Sequence, residues 1–167
     1  MLGVGDNIAA SLDRVDGVYK LSAVEKNGYF IPRLKVSNDS VKTINPGYKK
    51  VYRFYDKETN YALGDLVALH DEIIPENSYE LIHPIDNWKK NKLTNYYVRE
   101  LQVPIFKDGV QIYELPSLEE RKTYCQKEFE TLYPEIKRLI KPHGYYVDLS
   151  EKLLKLKNEL IAKHRKK

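Results

Sequence analysis

Apolar and polar positions alternate in short runs through the first two thirds of the chain, then shift to helical spacing. Val18 to Glu25 alternates and is β-branched and aromatic, which predicts a strand. Lys26-Asn27-Gly28 predicts a hairpin turn, with Phe30 to Ser37 as the returning strand. Pro32 cannot donate to a ladder, so it belongs at an edge or near its strand's start. Residues 37–43 are polar and turn-rich, and Asn45-Pro46-Gly47 punctuates the chain before the next strand. From Lys49 to Tyr55, Val51, Arg53 and Tyr55 share one face, with Tyr52 and Phe54 on the other. A turn over Asp56 to Asn60 returns into Tyr61 to His70, a second hairpin with apolar residues on both faces and hence partly buried. Ser78 to Ile82 predicts a short strand, and Asp86-Asn87-Trp88-Lys89-Lys90 a loop or helical turn. Val98 to Phe106 predicts a long strand, and Asp108-Gly109 turns it back into Val110 to Leu115, the best short-range hairpin signal in the chain.

The tail predicts helices. Ser117 with Glu120 spells a capping box, and Leu118, Cys125, Phe129 and Leu132 recur at helical spacing, which puts Cys125 on a buried stripe. Pro134 opens a further helical piece carrying Ile136, Leu139 and Ile140, stopped by Pro142-His143-Gly144. Asp148 with Glu151 caps the last helix, whose stripe is Leu149, Leu153, Leu156 and Leu160. The expected class is α+β: β-hairpins and a mixed sheet followed by C-terminal helices.

A chain of 167 residues suffices for one domain with a real core. The net charge of +4 is mild and concentrated at Lys163, Arg165, Lys166 and Lys167, so composition gives no argument for nucleic acid. A single cysteine excludes an internal disulfide or a multi-cysteine zinc site and fits a reducing compartment. With no apolar run of membrane-spanning length and no signal pattern, a cytoplasmic protein is expected. No catalytic nucleophile arrangement stands out, and no pair among His70, His83, His143 and His164 has metal-ligand spacing. We therefore assign no catalytic residue and no metal ligand. Asp71-Glu72 and Glu119-Glu120 suit solvated turns or helix starts better than acid–base work. Trp88 with Lys89, Lys90 and Lys92 has two readings: a nucleotide-stacking platform, or a partly buried anchor in a basic loop.

The chain opens on Gly3-Val4-Gly5-Asp6-Asn7 and runs into the helix-forming Ile8 to Leu12. Two glycines one residue apart let backbone N–H groups approach an anion at a helix N-terminus; the alternative is a plain loop. A phosphate turn of this kind hangs off a strand, so the expectation is that the chain is the rear part of a larger protein. Arg14, Lys20, Lys35 and Lys42 gather behind the turn. A hairpin brings Lys20 and Lys35 to one end of a sheet, where they either flank an anion or form a solvated face.

Several segments together resemble the rear portion of bacterial nicotinate phosphoribosyltransferases. They are Gly3-Val4-Gly5, Gly17 to Leu21, Lys42 to Arg53, Leu93-Thr94-Asn95, Arg99-Glu100-Leu101, Val103 to Phe106, Glu114 to Leu118 and Tyr145 to Ser150, in order over essentially the whole chain. The resemblance implies enzymes that join nicotinate to phosphoribosyl pyrophosphate, giving nicotinate mononucleotide, with ATP hydrolysis and Mg²⁺. It implies an incomplete α/β barrel plus an α+β domain, with the active site formed across a homodimer. On this basis residues 1–17 are a remnant of the barrel's phosphate-binding turn and helix, and 18–167 the C-terminal α+β region. Gly3, Val4, Gly5 and Asp6 would surround the nucleotide 5′-phosphate, Arg14 would assist, and Lys20, Lys35 and Lys42 would face the pyrophosphate. Asp6 departs from the family, which commonly has threonine there; a carboxylate beside a phosphate must point away or meet Mg²⁺. The family's phosphorylated histidine and nicotinate-binding aromatic belong to a portion that has no counterpart here, so the polypeptide alone is expected to lack turnover. Two other readings are a split subunit whose barrel is completed by the missing N-terminal portion, and a small domain binding phosphate ligands or nucleic acid through its tyrosines and basic tail.

Overall fold

The computed structural model describes residues 17, 19–37 and 42–165. Asn27 and Gly28 both take positive φ, 53° and 78°, the pairing whose twist matches antiparallel strands. Across this turn β1 (Ala23–Lys26) pairs with β2 (Tyr29–Pro32) as a separate two-stranded sheet, so both strands are edges and Pro32 is accommodated. The regular pairing is shorter than the alternation suggested at both outer ends.

The main sheet contains β3 (Lys49–Asp56), β4 (Ala62–Leu69), β5 (Ser78–Ile82), β6 (Lys90–Thr94) and β7 (Tyr96–Glu100). Beyond β8 (Phe106–Lys107), β9 (Val110–Gln111) and α1 (Leu118–Glu130), it is completed by β10 (Val147–Leu149), and α2 (Glu151–Arg165) follows. The strand order is β6-β5-β10-β4-β3-β7, antiparallel except for the parallel β10–β4 pair.

This sheet curls. β6 and β7 stand at opposite ends of the order, yet a single residue joins them, Asn95 at φ 53°. In a flat sheet Phe54 on β3 and Tyr79 on β5, three strand spacings apart, would be separated by about 14 Å. Their ring centroids are 5.6 Å apart. The concave face therefore closes on itself and buries Phe54, Leu66, Ala68, Leu81, Leu93 and Tyr96, with Tyr96 edge-on to Phe54 and its hydroxyl donating to the Pro75 carbonyl. On the convex side α2 packs over β10 and β4, burying Leu149 and Leu153.

The structure corrects several expectations. β7 ends at Glu100; the Leu101 N–H still reaches the Val51 carbonyl, but the chain then leaves the sheet toward Pro104. The long strand over Val98 to Phe106 is thus two short strands with an irregular link. The Asp108-Gly109 hairpin forms with φ of 51° and 79°, though each strand is only two residues long and exposed. The capping box at Ser117 and Glu120 is present in both directions, but no residue of α1 is buried and Cys125 is exposed. Residues 134–141 form turns and bends, not a helix, and Leu139 and Ile140 point into solvent. Asp148 does not cap α2: it lies in β10, and the cap is Ser150, whose Oγ accepts from the Leu153 N–H at 3.1 Å. That hydroxyl donates in turn to Glu72 Oε1 (2.6 Å), which also takes the Leu69 N–H (2.7 Å).

Candidate functional site

Gly3, Val4, Gly5, Asp6 and Arg14 lie outside the described residues. The segments carrying the three lysines converge. Beyond the Ala23–Pro32 pair one further contact extends the hairpin, the Arg33 N–H donating to the Ser22 carbonyl at 2.8 Å, and Lys20 and Lys35 lie two residues past it on the two segments. The same Ser22 carbonyl accepts from the Gly47 N–H (2.7 Å), which ties the open end of the hairpin to the loop entering β3. The Ser37 N–H donates to Thr43 Oγ1 (3.2 Å), so the chain that passes through Lys42 returns beside the end of the chain that carries Lys35. All three lysines are exposed. Phe30, Tyr48 and His70 pack ring on ring, with centroids 4.4–4.9 Å apart, and fasten this hairpin to the main sheet.

A second polar constellation was not visible in sequence. On the convex face Asp65, Arg53 and Arg99 stand in register across β4, β3 and β7. Arg53 forks onto Asp65 through Nε (2.8 Å) and Nη2 (2.9 Å) and uses Nη1 for Glu128 of α1 (3.1 Å). Glu128 also accepts from Arg99 Nη2 (2.5 Å) and the Tyr55 hydroxyl (3.4 Å), while Tyr145 donates to Asp65 Oδ1 (2.8 Å). The hydrogen bonds to Asp65 hold Arg53 firmly protonated, and burial together with Asp65 raises the Tyr145 phenol. Burial pushes the Glu128 carboxyl up, but the hydrogen bond and charge of Arg99, with the charge of Arg53, outweigh it and hold the group below its usual range. Each charge here has an opposite partner, so the cluster fastens α1 to the sheet rather than offering a reactive group. Its signal in sequence was faint: an arginine between Val51 and Tyr55 on a strand face that has to be buried.

Among the described residues no group of three or more His, Cys, Asp or Glu side chains could hold a metal ion. Nor is any described helix long and apolar enough to cross a membrane.

Residues 48–157 match the nicotinate phosphoribosyltransferase C-terminal domain. The chain belongs to this family. The matched span holds the whole curled sheet, α1 and the first half of α2, and begins after the hairpin that carries Lys20 and Lys35. The chain is 34% identical over 152 residues to a Bacillus subtilis nicotinate phosphoribosyltransferase, covering 89% of this chain and 31% of that protein. It is 32% identical over 169 residues to the human enzyme of the same name, covering 97% and 30% respectively. A crystal structure of human nicotinic acid phosphoribosyltransferase superposes with a TM-score of 0.63 at 29% identity, over 70% of this chain and 23% of that one. The chain therefore corresponds to the C-terminal part of these relatives and spans about a third of their length.

Proposed function

We propose that this chain is the C-terminal portion of a nicotinate phosphoribosyltransferase of NAD biosynthesis, acting in the cytosol, and that it has no turnover alone. In this reading its front end supplies the phosphate side of the site. Backbone N–H groups of Gly3, Val4 and Gly5, with Arg14, hold the 5′-phosphate, and Lys20, Lys35 and Lys42 face the pyrophosphate of phosphoribosyl pyrophosphate. As pyrophosphate leaves the ribose carbon, negative charge accumulates on it, and fixed ammonium groups stabilise that state more than the ground state. Nicotinate, ATP and Mg²⁺ would be handled largely by the front portion of the enzyme. The observation that carries the reading is the family match over residues 48–157, preceded by the converging lysine segments.

A concentration of exposed apolar side chains over 103–140, including Phe106, Leu115, Leu118, Leu139 and Ile140, favours a chain that works against another polypeptide surface. That surface is the front portion of the enzyme or a second subunit, as in a split enzyme or homodimer. The test is a steady-state assay with nicotinate, ATP and phosphoribosyl pyrophosphate. The purified chain should give no product; mixing it with the front two thirds of the Bacillus subtilis relative should restore activity. In the restored enzyme, Lys20→Ala, Lys35→Ala and Lys42→Ala should each lower kcat/KM by roughly tenfold or more, in line with lost charge-assisted contacts. Product from the chain alone, or lysine variants as active as the parent, would overturn the corresponding half of the proposal.

A further inference from the structure

Where the concave face of the sheet opens at one end, the register sets a row of polar residues beyond the apolar core. The Leu149–Ile82 pair, extended by one residue, places Asp148 of β10 opposite His83, and the His83 N–H donates to the Lys89 carbonyl at 3.1 Å. A cavity of about 520 Å³ opens here, within the size range of small-ligand pockets. Asp148 lines it while being only 3% exposed, and its Oδ1 has no hydrogen-bond partner among the described residues. That oxygen is shut off from solvent as the group stands, and a buried carboxylate without a donor is costly, so a turn of the group onto an N–H brought by a ligand at the cavity wall would relieve it.

The rest of the lining suits an aromatic ligand. Trp88 is 75% exposed on the cavity wall and Tyr146 stands on another part of it. Nδ1 of His83 accepts the Asp86 N–H (2.9 Å), which fixes the ring and leaves the proton of the neutral imidazole on Nε2. Lys89 and Lys90 reach the rim, but each is already matched by a carboxylate at 2.6 Å, Asp86 and Glu80. The rim is therefore close to neutral, and a phosphate would gain little there. The specific features are the aromatic wall and the buried acceptor.

We propose that this cavity is a binding site for a purine nucleoside or its phosphate, with the base against Trp88 and the N–H groups of its edge directed at Asp148. The carboxylate calls for a base edge with N–H donors, which every base has, and the two-ring purine covers more of the exposed indole than a pyrimidine does. The site is built from residues other than the lysines assigned to phosphate chemistry, so it does not rest on the activity proposed above.

Trp88 is the one tryptophan of the chain, so intrinsic fluorescence reports on this cavity directly. The 167-residue chain would be titrated with guanosine, adenosine, their 5′-monophosphates and, as a base-free control, ribose 5-phosphate. The expected result is saturable quenching by the purine nucleosides, within about threefold for nucleoside and monophosphate, and none by ribose 5-phosphate. Asp148→Asn should weaken binding at least tenfold, and Trp88→Phe, followed by calorimetry at an exposed position where folding is safe, should weaken it similarly. Absence of saturable quenching at millimolar nucleoside, equal quenching by ribose 5-phosphate, or unchanged affinity in both variants would each overturn the assignment.

Discussion

The polar clamp under α1 gives a quantitative test of how this domain is held together. α1 buries none of its residues, and an isolated helix of 13 residues is marginal in water. Its attachment runs mainly through Glu128 to Arg53, Arg99 and Tyr55, helped by the Ala62 N–H donating to the Thr131 carbonyl at 2.8 Å. Replacing Glu128 by Ala removes the acceptor for all three. Breaking a fully buried ion pair costs about 3–5 kcal/mol and an exposed one about 0–1 kcal/mol. Here the Glu128 side chain is 19% exposed, Arg99 is 42% exposed, and Arg53 keeps its fork on Asp65, so no charge is stranded. The loss should be about 1–2 kcal/mol, an increase of roughly 5- to 30-fold in the open population.

Because the clamp holds one element, that loss should be local. Native-state hydrogen exchange should show the α1 amides, residues 118–130, exchanging roughly 5- to 30-fold faster in Glu128→Ala, with β3 and β4 unchanged. Acid should mimic the variant. The folded carboxyl of Glu128 is held below its usual range, so its contribution is fully present above the ordinary glutamate range and is lost as pH falls through the depressed value. The protected difference between parent and variant should therefore be full at pH 7 and shrink in strong acid. Unchanged α1 exchange, or an equal drop across the sheet, would refute the account.

Two further outcomes follow from buried polar groups. Burial raises the Asp148 carboxyl, with His83 pulling the other way, so the contribution of this group to stability is fully present below the ordinary aspartate range and is lost as pH rises through the raised value. Asp148→Asn should accordingly raise the melting temperature of the ligand-free protein at pH 7 and give no gain at pH 3; a lower value at pH 7 would show that the carboxylate is satisfied. Ser150→Ala should lower stability by about 1–2 kcal/mol, read as a shifted urea midpoint at unchanged slope, because it removes the α2 cap and the hydroxyl bonded to Glu72. An unchanged midpoint would mean the cap is replaced locally.

What was readable in the sequence was local chemistry. Asn27-Gly28 and Asp108-Gly109 turn as their residues demand, Ser117 and Glu120 cap as spelled, and Ser78 to Ile82 begins and ends where the alternation does. What escaped depends on partners far along the chain. Lys-Asn-Lys-Leu-Thr in β6 is mostly polar, and only pairing with β5 makes it a strand. Asp148 and Glu151 imitate a cap, but pairing with β4 and β5 draws residues 147–149 into the sheet and moves the cap to Ser150. Arg53 meets Glu128 across 75 residues, a contact no window of sequence contains. The helical spacing around Cys125 was real, yet periodicity states which residues share a face and not whether anything covers it.

The curl of the sheet explains why burial is so unevenly shared. With Asn95 joining the two end strands, the concave face closes on its own side chains and needs no second layer there. The convex face is covered by α2 over β10 and β4 and by polar contacts from α1 over β3 and β7, which leaves the apolar side of α1 and the β8–β9 hairpin facing out. A core that closes early and an outer rim rich in exposed Phe, Leu and Ile is the expected division for a domain that folds as a unit but serves within a larger body. The relatives, about three times as long, supply a body of that size. On this argument the sheet is the scaffold, and the two sites proposed above lie at its margins: the lysine segments at the open end of the first hairpin, and the carboxylate at the mouth of the curl.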